Sequence, residues 1–301
     1  MRISEVRVGR YPPAVIVNAQ DSALKVLRGL ASEWVRHAVL VDERELLAGM
    51  VSARDVVSFL GGGAHYSIVE EEYEGDLYKA LREVSASRLS YAAPYVSLSD
   101  DFARVIEVML EKGVGAIAVV DESGKPVGVV SERHIVSLFA DVTTNVSVSE
   151  VMTAPLLSAR PSDPLVNAMR LMISRHIRRV PLLEGKEIAG ILTIKDVVTF
   201  FASASTQARL AKEGVERVWS TPLSRLGSKT VVTVPARVDV GDALRVMRDK
   251  GVGSLVVVDD AGRPLGIFTE RDVITKVVKL KGVEVFVDEI ERVIVAARVV
   301  H

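Results

Sequence analysis

One nine-residue phrase occurs four times: GMVSARDVV at 49–57, GVVSERHIV at 128–136, GILTIKDVV at 190–198 and GIFTERDVI at 266–274. Its leading glycines, Gly49, Gly128, Gly190 and Gly266, stand 79, 62 and 76 residues apart. Self-similarity at such spacings restricts the fold to a tandem array of one small unit. Four copies in 301 residues leave roughly 55 to 60 residues each, a size at which a lone domain buries too little of its surface. The copies are therefore expected to share cores.

Each copy reads alike. A β-rich run opens it: AVIV at 14–17, YVSL at 95–98, LLSA at 156–159 and VVTV at 231–234. An amphipathic helix follows, clearest where Leu165, Ala168, Met169, Met172 and Ile173 fall on one face, and again at Val240, Ala243, Leu244 and Met247. Two strands across a polar turn come next, as in SLVVVDDAGRPLGIFT, and a second helix starts within the repeated phrase. The predicted class is α/β (α+β), with the order β-α-β-β-α four times.

The copies are expected at 1–60, 84–140, 146–201 and 218–280. Residues 61–83 carry a triple glycine and five acidic residues between Glu70 and Asp76, and read as a solvated acidic linker. Residues 202–217 read as a polar helical connector, and the tail at 281–301 has an alternation suited to a strand or a sheet-edge cap.

Basic and acidic residues nearly cancel, 38 against 39, which excludes a whole-surface electrostatic grip on nucleic acid. The absence of cysteine removes disulfides, thiol catalysis and thiolate metal sites. The amino terminus has no apolar h-region and the apolar runs are too short to span a bilayer, so a soluble cytoplasmic protein without membrane contact is expected. Three Asn and two Gln, with no Cys, give a thermophile-like composition.

These features resemble the cystathionine-beta-synthase (CBS) domain. The third copy carries the resemblance best, in its opening VMT, its Ala-x3-Met helix, the strand IRRVPLL and the close G-h-x-T-x-x-D. The fourth is nearly as complete, and the first two are weaker at their openings. The resemblance implies that copies pair, first with second and third with fourth, into two Bateman modules with pseudo-twofold symmetry. It implies clefts that in many members hold adenosine nucleotides. Four-copy chains of this kind resemble the energy-sensing gamma subunit of AMP-activated protein kinase and archaeal stand-alone CBS proteins.

The motif S/T-x-x-D places a hydroxyl at the mouth of a helix and a carboxylate one turn on. Such a carboxylate can accept both hydroxyls of a ribose diol, each bond to a charged group being worth roughly 1.5 to 3 kcal/mol. The same spacing is also a capping box, and the two roles can coexist in one residue. Ser52 with Asp55, Thr193 with Asp196, and Thr269 with Asp272 are the candidate pairs. The residue before the acidic position is basic in every copy: Arg54, Arg133, Lys195 and Arg271, each able to reach a phosphate or lie along the surface. Arg178 and Arg179 precede the second strand of copy three, aligned with Arg36 and His37, Gly115 and Ala116, and Gly253 and Ser254, so copy three is best furnished for an anion. The resemblance adds Thr153 and Ser228, in the openings of copies three and four, as nucleotide-site residues.

Copy two departs from the pattern. Beside Ser131 and Arg133 it has His134, and a neutral imidazole cannot accept two ribose hydroxyls as a carboxylate does. A degenerate cleft is expected there. The five histidines, His37, His65, His134, His176 and His301, show no metal-ligand spacing, and none is assigned to a metal. The stretch ESGKP at 122–126 lacks the leading glycine of a phosphate loop and reads as a hairpin turn. Trp34 and Trp219 are expected to be packing residues.

The reading is therefore a non-enzymatic regulatory protein. AMP, ADP or ATP would serve as a regulatory ligand rather than a required cofactor, and occupancy would control an unknown protein partner. The alternative is an interaction factor docking on a large assembly such as the ribosome, through the basic cluster Arg170, Arg175, His176, Arg178 and Arg179. Association into a homo-oligomer stays open. No set of residues composes a catalytic centre, and fold alone licenses no activity.

Overall fold

The computed structural model describes residues 1–140 and 142–299. Each repeat folds around a hairpin whose second strand ends at the repeated phrase: His37–Val41 with Leu47–Ser52, Ala116–Val120 with Pro126–Ser131, Arg179–Glu184 with Glu187–Thr193, and Ser254–Val258 with Pro264–Thr269. In three repeats a short opening strand, Ile16–Asn18, Tyr95–Ser97 or Thr233–Pro235, adds in parallel to the first hairpin strand. Between them runs the amphipathic helix, Ala23–Ser32, Ala103–Lys112, Leu165–Ser174 or Val240–Lys250, its apolar face buried.

Copy three departs from the expected order. LLSA at 156–159 forms no strand, only a parallel bridge from Ala159 to Leu182. Elsewhere the first hairpin strand donates an N–H to the opening segment, as from Val39 to the carbonyl of Val15, from Ala118 to Pro94 and from Val256 to Val232. Strand register puts Pro181 at this position in copy three, and proline has no N–H to give.

The repeats exchange their opening segments. Arg10, ahead of copy one, bridges to Val129 in copy two, while Tyr91, ahead of copy two, bridges to Met50 in copy one. Thr153 bridges to Ile267 and Ser228 to Ile191, so copies three and four are coupled in the same reciprocal way. These are the two Bateman modules. The exchange explains the leading glycines, because the incoming backbone crosses directly over them. A Cβ on Gly266 would lie 2.6 Å from the carbonyl oxygen of Thr153, one on Gly190 2.8 Å from that of Ser228, and one on Gly49 3.2 Å from that of Tyr91. At Gly128 the Tyr11 ring takes the space, 2.3 Å from the Cβ position.

Compactness follows a different grouping. Residues 13–93 and 157–230, holding most of copies one and three, form one unit, and 1–12, 94–156 and 231–299 form the other. In the first unit helix Ala23–Ser32 packs on helix Ile194–Ala202 around Leu27, Leu30, Val197 and Phe201. In the second, a core around Phe102, Ile135, Leu244 and Phe268 joins copies two and four.

One joint and the tail differ from expectation. Residues 61–83 are not a solvated linker: helices Ser67–Tyr73 and Leu77–Glu83 bury Val69, Leu77, Ala80 and Leu81. The triple glycine serves close packing. Gly61, at φ 116°, lies under the Trp219 indole, and a Cβ on Gly62 would stand 3.1 Å from the carbonyl oxygen of Met169. Residues 202–217 include helix Ala204–Glu213, which buries Thr206, Gln207 and Leu210. The tail forms a helix, Val283–Val299, where Phe286, Ile290 and Ile294 recur every four residues and are buried. Phe286 stacks on Phe139 at 4.2 Å, so helical spacing outweighs the alternation that suggested a strand. His301 lies outside the described residues.

Candidate functional site

Three of the repeated phrases, in copies one, three and four, place their cap and acid as a reciprocal pair. In copy one the backbone N–H and hydroxyl of Ser52 donate to Oδ2 of Asp55 at 2.7 and 2.6 Å. In copy three Thr193 does the same to Oδ2 of Asp196, both at 2.7 Å, and in copy four Thr269 does so to Oδ2 of Asp272 at 2.8 and 2.7 Å. Capping therefore consumes one carboxylate oxygen. The other differs among copies. Among the described residues, Oδ1 of Asp55 and Oδ1 of Asp196 accept no hydrogen bond. Oδ1 of Asp272 accepts from the Thr153 hydroxyl at 3.0 Å and pairs with the Lys276 ammonium at 2.7 Å.

Burial pushes the Asp196 carboxyl up from its ordinary range, against the opposing pull of Thr193 and Lys195. Asp272 is only 4% exposed. Tyr91, brought in by strand exchange, sits close enough to Asp55 for that charge to add to burial in pushing its phenol up. Ser228 is exposed and bonds the Thr230 carbonyl at 3.3 Å, not Asp196.

The strand opposite each cap follows the alignment read from sequence. His37 pairs with Ser52, Ala116 with Ser131, Arg179 with Thr193 and Ser254 with Thr269. The carbonyls of Arg36, Gly115, Arg178 and Gly253 accept from the first helical residue in each case. Directly opposed residues share one face of a sheet, so Arg179 and Thr193 stand side by side. Copies one and three, in one compact unit, thus carry cationic or imidazole side chains beside their caps, while two and four carry Ala116 and Ser254.

The basic residues inside the phrase reach elsewhere. Arg54 lies 3.3 Å from Nδ1 of His176 in copy three, and Lys195 lies 5.1 Å from the ring centre of Trp34 in copy one. Arg271 donates to the Gly113 carbonyl at 3.1 Å and lies 3.6 Å from buried Glu132, both in copy two. Trp34, Gly113 and His176 each follow their repeat's helix with positive φ, 53°, 62° and 53°. These cations therefore meet helix carboxyl ends, where the backbone dipole favours positive charge. Trp34 is 49% exposed and is not a core residue, whereas Trp219 packs on Gly61 and donates to the Leu60 carbonyl at 2.9 Å.

In copy two His134 takes over the cap. Its Nδ1 lies 3.1 Å from the Ser131 backbone nitrogen, which can only donate, so Nδ1 is the acceptor and the ring proton sits on Nε2. Arg133 lines a pocket of about 200 Å³ with Leu244, Met247, Arg248, Val252 and Glu270. That volume is below the 300 Å³ or so typical of small-molecule sites. Among the described residues no cluster of His, Asp or Glu suits a metal ion, and no helix is long and apolar enough to cross a membrane. Arg170, Arg175 and His176 are exposed, while Arg178 and Arg179 are half-buried.

A model of the CBS domain matches residues 8–62, 82–141, 148–203 and 223–279. The chain belongs to the CBS domain family. A protein in the ribosomal RNA operon of Thermofilum pendens is 48% identical over 299 residues, 99% of both chains. Protein MJ1225 of Methanocaldococcus jannaschii, described as a candidate archaeal homolog of g-AMPK, shares the fold, with a TM-score of 0.83 at 22% identity, over 91% of this chain and 99% of that one. A conserved protein from Pyrococcus horikoshii superposes at a TM-score of 0.55 with 16% identity over 91% and 98%.

Two residues at the CBS caps escaped sequence reading. Tyr91 reaches Asp55 only through strand exchange, which no local pattern announces. Lys276 had a signal. It stands four residues after Asp272, where the other CBS repeats have Phe59, Leu138 and Phe200.

Proposed function

We propose that this CBS protein is a non-enzymatic adenine-nucleotide sensor of the cytoplasm that takes its ligand at copies one and three and regulates a partner protein through occupancy. One observation carries the reading: Asp55 and Asp196 each hold one oxygen fixed in a cap and present the other without a partner among the described residues. That second oxygen is open to approach from outside, and a ribose diol can donate to it, each bond to a charged group being worth roughly 1.5 to 3 kcal/mol. Helix Ile194–Ala202 adds the positive end of its dipole at the same place, and Arg178 and Arg179 supply cations for a phosphate. The clefts that hold adenosine nucleotides in many members of the family support the same ligand class.

Regulation requires that ligands differ in affinity for, or effect on, the states they select. Calorimetric titration of the full chain with AMP, ADP and ATP tests binding. At a hundredfold excess over its dissociation constant a specific ligand should stabilise the fold by about 2.7 kcal/mol. No heat and no melting shift with any of the three rejects the reading. Affinity capture from native extract, with and without AMP and ATP, then identifies the partner as a protein whose recovery changes with nucleotide.

A further inference from the structure

We infer that the fourth repeat carries its own occupant: Lys276 fills the position a ribose would take on Asp272 and closes that site to nucleotide. The inference rests on the nucleotide reading above and adds a rule for which copies are available.

A carboxylate has about four lone-pair positions. On Asp272 four donors meet them: the Thr269 N–H and hydroxyl on Oδ2, and the Thr153 hydroxyl and Lys276 ammonium on Oδ1. Among the described residues, Asp55 and Asp196 accept hydrogen bonds only from their own caps, on Oδ2. The ammonium is equally well satisfied. Besides Asp272 it reaches the carbonyl oxygens of Val151 at 2.9 Å and Met152 at 3.1 Å, and the Thr153 hydroxyl oxygen at 3.0 Å. Four acceptors surround three N–H groups, and each acceptor belongs to a segment fixed by strand exchange or by the helix itself. A diol entering here would have to displace both donors on Oδ1 and leave two carbonyls without the ammonium. The replaced residues point the same way, because Phe59 and Phe200 can donate nothing to the carboxylates one turn before them.

The test counts AMP equivalents by calorimetry on the full chain. Lys276→Met should bind one more equivalent than the unaltered protein, with the original sites within about twofold of their affinity. Lys276→Gln keeps amide N–H groups for the Val151 and Met152 carbonyls and serves if the Met variant does not fold; it should gain the same equivalent. Adding Asp272→Asn to either variant should remove the gain and restore the original count. An unchanged count in both Lys276 variants, or a gain that survives Asp272→Asn, overturns the inference while leaving the sensor reading intact. AMP bound by neither the unaltered chain nor the variants rejects the sensor reading, and this inference with it.

Discussion

The guanidinium of Arg54 in the first repeat lies 3.3 Å from Nδ1 of His176 in the third, and Lys195 of the third returns the contact on Trp34 of the first. The two contacts are symmetric in kind: a cation from the start of one second helix meets the end of the other repeat's first helix. They tie copies one and three into one unit.

Removing one such tie should therefore cost stability before it costs ligand binding. Lys195→Met is expected to lower unfolding free energy by about 0.5–1 kcal/mol, the worth of an exposed cation–π contact. AMP affinity should change less than threefold. Urea denaturation with parallel titration checks both, and a tenfold loss of affinity would put Lys195 on the phosphate instead.

The raised Asp196 carboxyl predicts opposite pH trends for the free and the bound chain. A carboxyl whose folded value exceeds the ordinary one, about 3.9, binds a proton more readily when folded. Its contribution favours the native state at low pH and falls as pH rises through the folded value. Adenosine, which has no titrating phosphate, needs the ionised form, so its affinity at copy three should rise over the same interval. An Asp55→Asn background isolates copy three for calorimetry at stepped pH. Onset of binding at or below the ordinary carboxylate value would contradict the burial argument.

The glycines under the exchanged segments should rank by clearance. Gly266→Ala and Gly190→Ala force a methyl to 2.6 and 2.8 Å from fixed carbonyl oxygens, and a loss of about 1–3 kcal/mol is expected. Gly49→Ala, with 3.2 Å, should lose less. Denaturant midpoints at constant m-value give the order, and equal losses at all three positions would refute strand crossing as the cause.

Trp219→Phe removes the only indole donor that reaches the Leu60 carbonyl among the described residues and leaves a gap above Gly61. The lost hydrogen bond alone should cost about 1–3 kcal/mol if the carbonyl stays dry. A calorimetric melt shows the drop, and an unchanged midpoint would mean that water enters to replace the indole.

Much of this architecture could be read from residue order because its signals are local. The periodic faces at Leu165–Ile173 and Val240–Met247, the polar turns and the S/T-x-x-D caps each lie within a dozen residues. What was missed depends on distant parts of the chain. LLSA at 156–159 reads as strand until the missing N–H of Pro181 is set against it. Gly61, Gly62 and Gly63 read as part of a solvated linker until Trp219 and Ile173 are set against them. In the tail both periods were present, and burial of Phe286 and Ile290 decided for the helix. The caps were legible, but the state of the second carboxylate oxygen was not, since Thr153 precedes Asp272 by more than a hundred residues.

Because copies one and three share one core and copies two and four the other, the order of synthesis is not the order of assembly. A nascent chain that has just exposed residue 93 holds half a hydrophobic interior with nothing to close it until residue 230 emerges. Loops of that length close slowly, and open apolar surface invites wrong partners meanwhile. Cutting the gene between the second and third repeats would then yield two fragments with incomplete interiors rather than two independent halves.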